Sequence, residues 1–164
     1  MKDSCMAAKL FFTITVFALL GCHGSCFAWL GETEEEIRKQ YGDPVFEDPH
    51  PPSSAPAEKE LGFLYDDMQV IVTLYRGQSV SEGYKFEENI TDALIPKIEK
   101  ILKNDGRGLG WKRIENPAAF NAELTHGWVR MDRAVNAVVW RNSPDTLEVS
   151  DAAFNAEMMK ERSR

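Results

Sequence analysis

The chain has 164 residues and a net charge of −7, and 43% of its residues are hydrophobic. This length suits one domain or two very small ones. The acidic balance argues against nucleic acid or an anionic membrane surface as a partner.

The chain opens with a segment typical of a secretory leader. Lys2 and Lys9 provide a basic start, and Leu10–Leu20 is an uncharged apolar run, too short to span a bilayer as a helix of about 20 residues. Ala28 ends a stretch with small residues where signal peptidase cuts, so we predict a signal peptide over 1–28 and an exported protein, periplasmic or secreted. Cleavage leaves 17 basic and 25 acidic side chains, a net charge of −8.

A second processing site competes with the first. Leu19-Leu20-Gly21-Cys22 resembles the lipobox of bacterial lipoproteins, and its use would leave Cys22 acylated and the protein anchored to a membrane. All three cysteines precede Trp29, so cleavage after Ala28 leaves no thiol, whereas lipidation leaves Cys26 unpaired in an oxidising compartment. The cysteine count therefore favours cleavage after Ala28, and no disulfide is available to hold the fold.

The first folded element is a helix predicted over 33–41. Thr33 and Glu36 have capping-box spacing, and the three consecutive glutamates in the first turn suit the helix dipole. Gly42 ends the helix, and Pro44 prevents its continuation.

A proline-rich segment and a group of strands follow. Residues 47–60 contain four prolines and no large apolar anchor, which predicts a solvated loop. Short β-rich runs separated by turn residues then predict an antiparallel meander. The predicted strands are Phe63–Tyr65, Val70–Tyr75 and Val80–Phe86.

The second half predicts the same succession of elements. An apolar stripe with a period of 3.6 predicts a helix over 91–103, with Pro96 in or near its first turn. The following strands are predicted at Trp111–Ile114, Trp128–Met131, Ala134–Arg141 and Thr146–Ser150. A C-terminal helix is predicted over 151–162.

Sliding the chain against itself by 65 residues aligns the two halves. Phe63 meets Trp128, Val70 meets Val135, and Tyr75-Arg76 meets Trp140-Arg141. Either the chain contains two repeat units, 30–86 and 90–150, or two unrelated helix–meander units resemble each other by chance. The predicted fold is α+β: one domain over 29–164, with an antiparallel meander sheet of about six to seven strands packed on two to three helices.

The first unit resembles a known family of small exported proteins. Trp29-Leu30-Gly31-Glu32-Thr33-Glu34-Glu35-Glu36-Ile37, followed by Tyr41-Gly42-Asp43-Pro44 and a hairpin ending in Gly77, is similar to the entry into the SmpA/OmlA (BamE-like) fold. A similar unit, used twice, builds the β-lactamase inhibitor proteins. The resemblance implies envelope assembly partners or inhibited enzymes, and no catalysis.

No catalytic, cofactor or metal site is predicted. His50 and His126 lack a second histidine or cysteine at ligand spacing. Asp66-Asp67 could serve as an acid/base pair, but turn chemistry accounts for both residues. We therefore predict a protein that is not an enzyme.

Aromatic residues on the predicted strands suggest a binding surface instead. Strand alternation places Tyr75 and Trp140 on the less aliphatic face of the sheet, and Arg76 and Arg141 follow them. Such side chains are enriched at protein interfaces, so we predict a partner-binding surface there. The alternative is that the C-terminal helix or the proline-rich loop covers these rings.

Three functions follow in order of preference. The first is a non-enzymatic envelope protein that binds another envelope or secreted protein. The second is an inhibitor or regulator of a secreted enzyme. The third is a small enzyme that uses the carboxylates of Asp66 and Asp67.

Overall fold

The computed structural model describes residues 30–51, 57–105 and 108–162. The predicted leader, including Cys22, lies outside these residues. Within them the chain forms helices and strands in the order α1 (Glu34–Tyr41), β1 (Phe46–Asp48), β2 (Lys59–Tyr65), β3 (Met68–Tyr75), β4 (Gln78–Lys85), α2 (Ile95–Asp105), β5 (Trp111–Arg113), a 3₁₀ helix (Pro117–Ala119), β6 (Leu124–Arg130), β7 (Val135–Trp140), β8 (Ser143–Asp151) and α3 (Ala152–Arg162).

Local sequence signals account for both ends of α1. The Thr33 hydroxyl accepts from the backbone N–H of Glu36, and the Glu36 carboxylate accepts from the backbone N–H of Thr33 at 2.8 Å. Gly42 follows the helix with a φ of 86°, and its N–H donates to the carbonyl of Arg38. The predicted capping box and glycine stop are confirmed.

The strands form one antiparallel sheet in the order β1-β2-β3-β4-β8-β7-β6-β5, which confirms the α+β class. The predicted number of six to seven strands is wrong, because the sheet has eight. The additional strand, β1, falls in the segment predicted as a loop, and β2 begins at Lys59 within the same segment. The sequence did not predict β1, because a three-residue strand is too short to show a hydrophobic period. β1 is defined by its backbone pairing with β2.

The second helix begins later than predicted. The N–H groups of Leu94 and Ile95 donate to the carbonyls of Thr91 and Asp92, so a turn precedes the helix. Pro96 is the second residue of α2, where its missing N–H is tolerated, as predicted. The prediction for α3 is confirmed to within one residue.

One face of the sheet carries the main core. Alternate strand residues, such as Val70, Tyr84 and Leu147, are buried in a single cluster. Ile37 of α1 and Ile98 of α2 belong to that same cluster. Both helices therefore cover this face, as strand alternation requires.

Helix α3 lies on the opposite face. The carboxylate of Asp151 accepts from the N–H groups of Ala153 and Phe154 at 2.8 and 2.9 Å, which caps the helix. Phe154 is buried outside the main core cluster, and its ring packs on Tyr75 with 5.8 Å between centroids. Part of the face away from α1 and α2 is thus covered.

The two halves of the sheet have the same order of elements. A helix precedes β1–β4 and another precedes β5–β8, and the halves meet where β4 pairs with β8. Gly83 and Glu148, which are 65 residues apart, lie opposite each other in that pair. The sequence repeat stays a prediction, because unrelated helix–meander units would also share this order.

Candidate functional site

The strands of the second half leave a groove on the face away from α1 and α2. Its volume is about 1120 Å³, and α3 and Phe120, the residue after the 3₁₀ helix, border it. The floor is formed by alternate residues of the central strands, which pairing places side by side. These residues are Val129, Asn136, Val138, Glu148 and Ser150.

A glycine in β6 shapes one wall of the groove. Gly127 is buried opposite Val138, and a Cβ built on Gly127 would lie 3.1 Å from Cδ1 of Ile114. The absence of a side chain lets Ile114 pack over the strand. Ile114 then lines the groove beside the floor.

Aromatic side chains form one end of the groove. Trp140 ends β7 and is half-buried, and its Nε1 donates to Oε2 of Glu148 at 2.8 Å. That bond fixes the ring over the floor and provides the indole N–H with an acceptor. Phe120 follows the 3₁₀ helix and is 78% exposed at this end.

Cationic side chains line the opposite end. Lys112 of β5 and Arg133 of the β6–β7 turn both line the groove there, beside Met131, which is 65% exposed. Arg130 makes three hydrogen bonds of 2.9–3.2 Å to the carboxylate of Asp132. These bonds, together with the backbone N–H of Ala134, lower the pKa of Asp132.

The third border is the polar side of α3. Asn155 Nδ2 donates to Oγ of Ser150 at 2.8 Å, which holds the amide at the edge of the floor. Met158 lies one turn further along the helix and also lines the groove. The groove thus combines a floor of mixed apolar and polar side chains, a polar flank and two chemically different ends.

The structure separates the four predicted binding residues. Tyr75 and Trp140 lie in one sheet and point to the same face, as predicted. They end β3 and β7, which run in opposite directions, so they lie at opposite ends of the sheet. Only Trp140 lines the groove.

Helix α3 covers much of the predicted surface at Tyr75. Besides the contact with Phe154, the Tyr75 hydroxyl donates to Oε1 of Glu157 at 3.2 Å. Arg76 stacks over the Tyr75 ring at 4.8 Å. Arg141 is exposed at the other end, where its Nη2 donates to the carbonyl of Ala122 at 3.3 Å.

The aspartates and histidines considered as catalytic or metal-binding residues have contacts that account for them without such a role. Asp66 and Asp67 are the two central residues of the β2–β3 hairpin and have φ values of 44° and 62°, the geometry of a tight two-residue turn. Asp48 Oδ1 accepts from the backbone N–H of His50. Burial and the neighbouring Arg113 lower the pKa of His126, whose ring stacks on Trp128.

Among residues 30–51, 57–105 and 108–162, no three histidine, cysteine, aspartate or glutamate side chains are grouped as metal ligands. No helix in that part of the chain is long and apolar enough to cross a membrane.

No protein family, curated protein or solved structure matches this chain. Phe120 and Met131, the two most exposed apolar residues of the groove, were missed in the sequence analysis. Phe120 lies in a segment without hydrophobic periodicity, and Met131 is the last residue of the strand predicted at Trp128–Met131, where the pattern gave no sign of its exposure.

Proposed function

We propose that this chain is a non-enzymatic, exported cell-envelope protein that acts by binding another protein through the groove of the second half. The observation that carries the proposal is the exposure of Phe120 and Met131 at the two ends of a groove that Trp140 and Val138 also line. Large apolar side chains exposed together on one face are typical of interaction sites.

Export is proposed from the leader. Cleavage after Ala28 gives a periplasmic or secreted protein without a thiol, and the alternative, acylation of Cys22, gives a membrane-anchored lipoprotein. Both routes place the groove outside the cytoplasm, where the partner is another envelope or secreted protein.

The relationship to SmpA/OmlA-like domains is proposed as well. The order of elements supports a tandem arrangement, since each half consists of a helix followed by a four-stranded meander. In this interpretation the first half provides the support and the second half provides the binding face, because α3 packs against Tyr75 in β3 and borders the groove only along one side.

Inhibition of a secreted enzyme is the second candidate. It would use the same surface, and the Met131 and Phe120 side chains would then insert into the partner's own cleft. An enzyme based on Asp66 and Asp67 has less support, because the hairpin turn already accounts for both residues.

Site-specific photo-crosslinking tests the proposal. The full chain, with its leader, is produced in its native cells with benzoylphenylalanine in place of Met131. The matched control carries the same amino acid in place of Leu64, which is 69% exposed outside the groove. We expect a discrete crosslinked protein from position 131 and none from position 64.

The crosslinked product separates the candidate functions. Identical products from both positions, or no product from position 131 and none from a second probe at Phe120, would contradict a binding groove. Identification of the product as an enzyme whose activity falls on addition of this chain would select the inhibitor function.

A further inference from the structure

The groove is polarised along the strands that form it. Its aromatic end contains Trp140 and Phe120, and its cationic end contains Lys112 and Arg133. β7 runs from Val135 to Trp140 between these ends. At roughly 3.4 Å per residue, the distance from one end to the other is about 17 Å. An extended peptide of five or six residues spans that distance.

The charge at the cationic end is opposite to that of the molecule as a whole. The chain has a net charge of −7, yet Lys112 and Arg133 both line this end of the groove. Within the described part of the chain, neither is among the residues that form ion pairs. A partner with carboxylates at this end would gain attraction from both cations.

The middle of the groove carries amides. Asn136 lies on the floor, and Asn155 is held at its edge by the bond to Ser150. A peptide backbone offers donors and acceptors to such groups, whereas an acyl chain laid over them would remove their water without replacing its hydrogen bonds. The amides therefore favour a peptide over a lipid.

On these grounds, and resting on the proposed protein-binding function, we propose that the groove takes an extended segment of the partner with two defined anchors. A large apolar side chain of the segment packs at Trp140 and Phe120. An acidic side chain, about four to six positions away, lies between Lys112 and Arg133. The groove thus recognises an acidic peptide with an apolar anchor.

Selection from a random peptide library tests the composition of the segment. Phage displaying random heptapeptides are selected on the immobilised chain, and clones are retained only if the Phe120→Ser variant, which removes an exposed part of the apolar anchor site without changing charge, fails to capture them. We expect the retained peptides to share a Phe, Trp or Leu separated by about four to six positions from an Asp or Glu. Retained peptides that lack acidic residues would overturn the proposal.

Titration of a fluorescein-labelled peptide with the selected sequence tests the cationic end. We expect the double variant K112E/R133E to bind it about tenfold more weakly, with a flatter dependence on salt concentration. The control K100E/K103E makes the same charge change on exposed positions of α2 and should bind like the unaltered chain. Circular dichroism of both variants verifies that they fold.

If K112E/R133E and K100E/K103E weaken peptide binding equally, the proposal is overturned, because the loss of affinity would then depend only on the net charge of the chain. Displacement of the peptide by phosphatidylglycerol vesicles would also overturn it, in favour of a lipid ligand. If position 131 crosslinks a protein but the selected peptides are not acidic, the proposed function stands and only the acidic motif fails. If neither experiment shows binding, both fail.

Discussion

Two glycines, Gly62 and Gly127, leave space for larger side chains to pack on the groove face near the two edges of the sheet. Phe46 in β1 lies opposite Gly62 in β2, and a Cβ built on Gly62 would overlap the Phe46 ring. Gly127 has the corresponding relation to Ile114 at the other edge. Each glycine thus gives a neighbouring side chain room to lie flat on its strand.

Substitution of Gly62 tests this packing. We expect Gly62→Ala to lower the free energy of unfolding by about 1 kcal/mol, because the methyl group displaces the half-exposed Phe46 ring. Gly83→Ala is the matched control, since the nearest atom to its Cβ is 3.8 Å away and the added methyl group has space. Urea denaturation measures both variants, and equal stabilities would contradict the packing role of Gly62.

At the scale of secondary-structure elements, four charged side chains tie α1 to the edge of the sheet. Arg38 of α1 contacts Glu34 and Glu47 at 2.6 Å each, and Lys59 of β2 contacts the same two carboxylates at 2.8 Å each. Each cation therefore joins the helix to a strand. The hydrogen bond from Lys59 is the largest cause of the lowered pKa of Glu34, and that from Arg38 is the largest for Glu47.

This network predicts a loss of stability in acid. A carboxylate whose pKa is lower in the folded protein stabilises the fold above its unfolded pKa, near 4.5, and loses that contribution as the pH falls through its folded pKa. We expect Glu34→Gln to be less stable than the unaltered chain at about pH 6, with the gap closing by about pH 3.

Urea denaturation across this pH range measures the effect. Glu35→Gln changes the same residue type on the same helix, at a position that takes no part in the network, and should show no such convergence. A constant difference between Glu34→Gln and the unaltered chain at all pH values would refute an electrostatic origin.

At the scale of the whole molecule, a single core crosses the boundary between the two halves. Tyr84 of β4 lies opposite Leu147 of β8, and both belong to the cluster that contains residues of α1 and α2. Neither half can therefore bury its share of the core alone. We expect the described domain to unfold as one cooperative unit, in spite of its duplicated order of elements.

The distribution of tryptophans makes this testable. Trp111, Trp128 and Trp140 lie in β5, β6 and β7, so in a chain with Trp29→Phe the tryptophan fluorescence, excited selectively over tyrosine, reports only on the second half. Circular dichroism reports on the whole sheet. We expect the two signals to show coincident urea transitions, and a separate loss of circular dichroism before any change in fluorescence would indicate independent halves.

Local sequence chemistry determined the elements whose signals lie within a few residues of one another. The capping box at Thr33, the proline near the start of α2 and the apolar alternation of β3 each act over one or two turns or along one strand. The class of fold followed from their succession. The strand β1 did not follow from the local signals. It forms only because its backbone pairs with β2 and because Gly62, without a side chain, leaves space for the Phe46 ring.

The candidate site was within reach of the sequence only in part. Strand alternation placed Trp140 and Tyr75 on the same face, because alternation is a property of each strand by itself. Which ring is covered depends on where α3 folds back, and that is decided by the burial of Phe154 against Tyr75 across the sheet. The gathering of Phe120 beside Trp140 at one end of the groove, and of Met131, Lys112 and Arg133 at the other, likewise needs contacts between separate elements, so only the tertiary structure could bring the groove together.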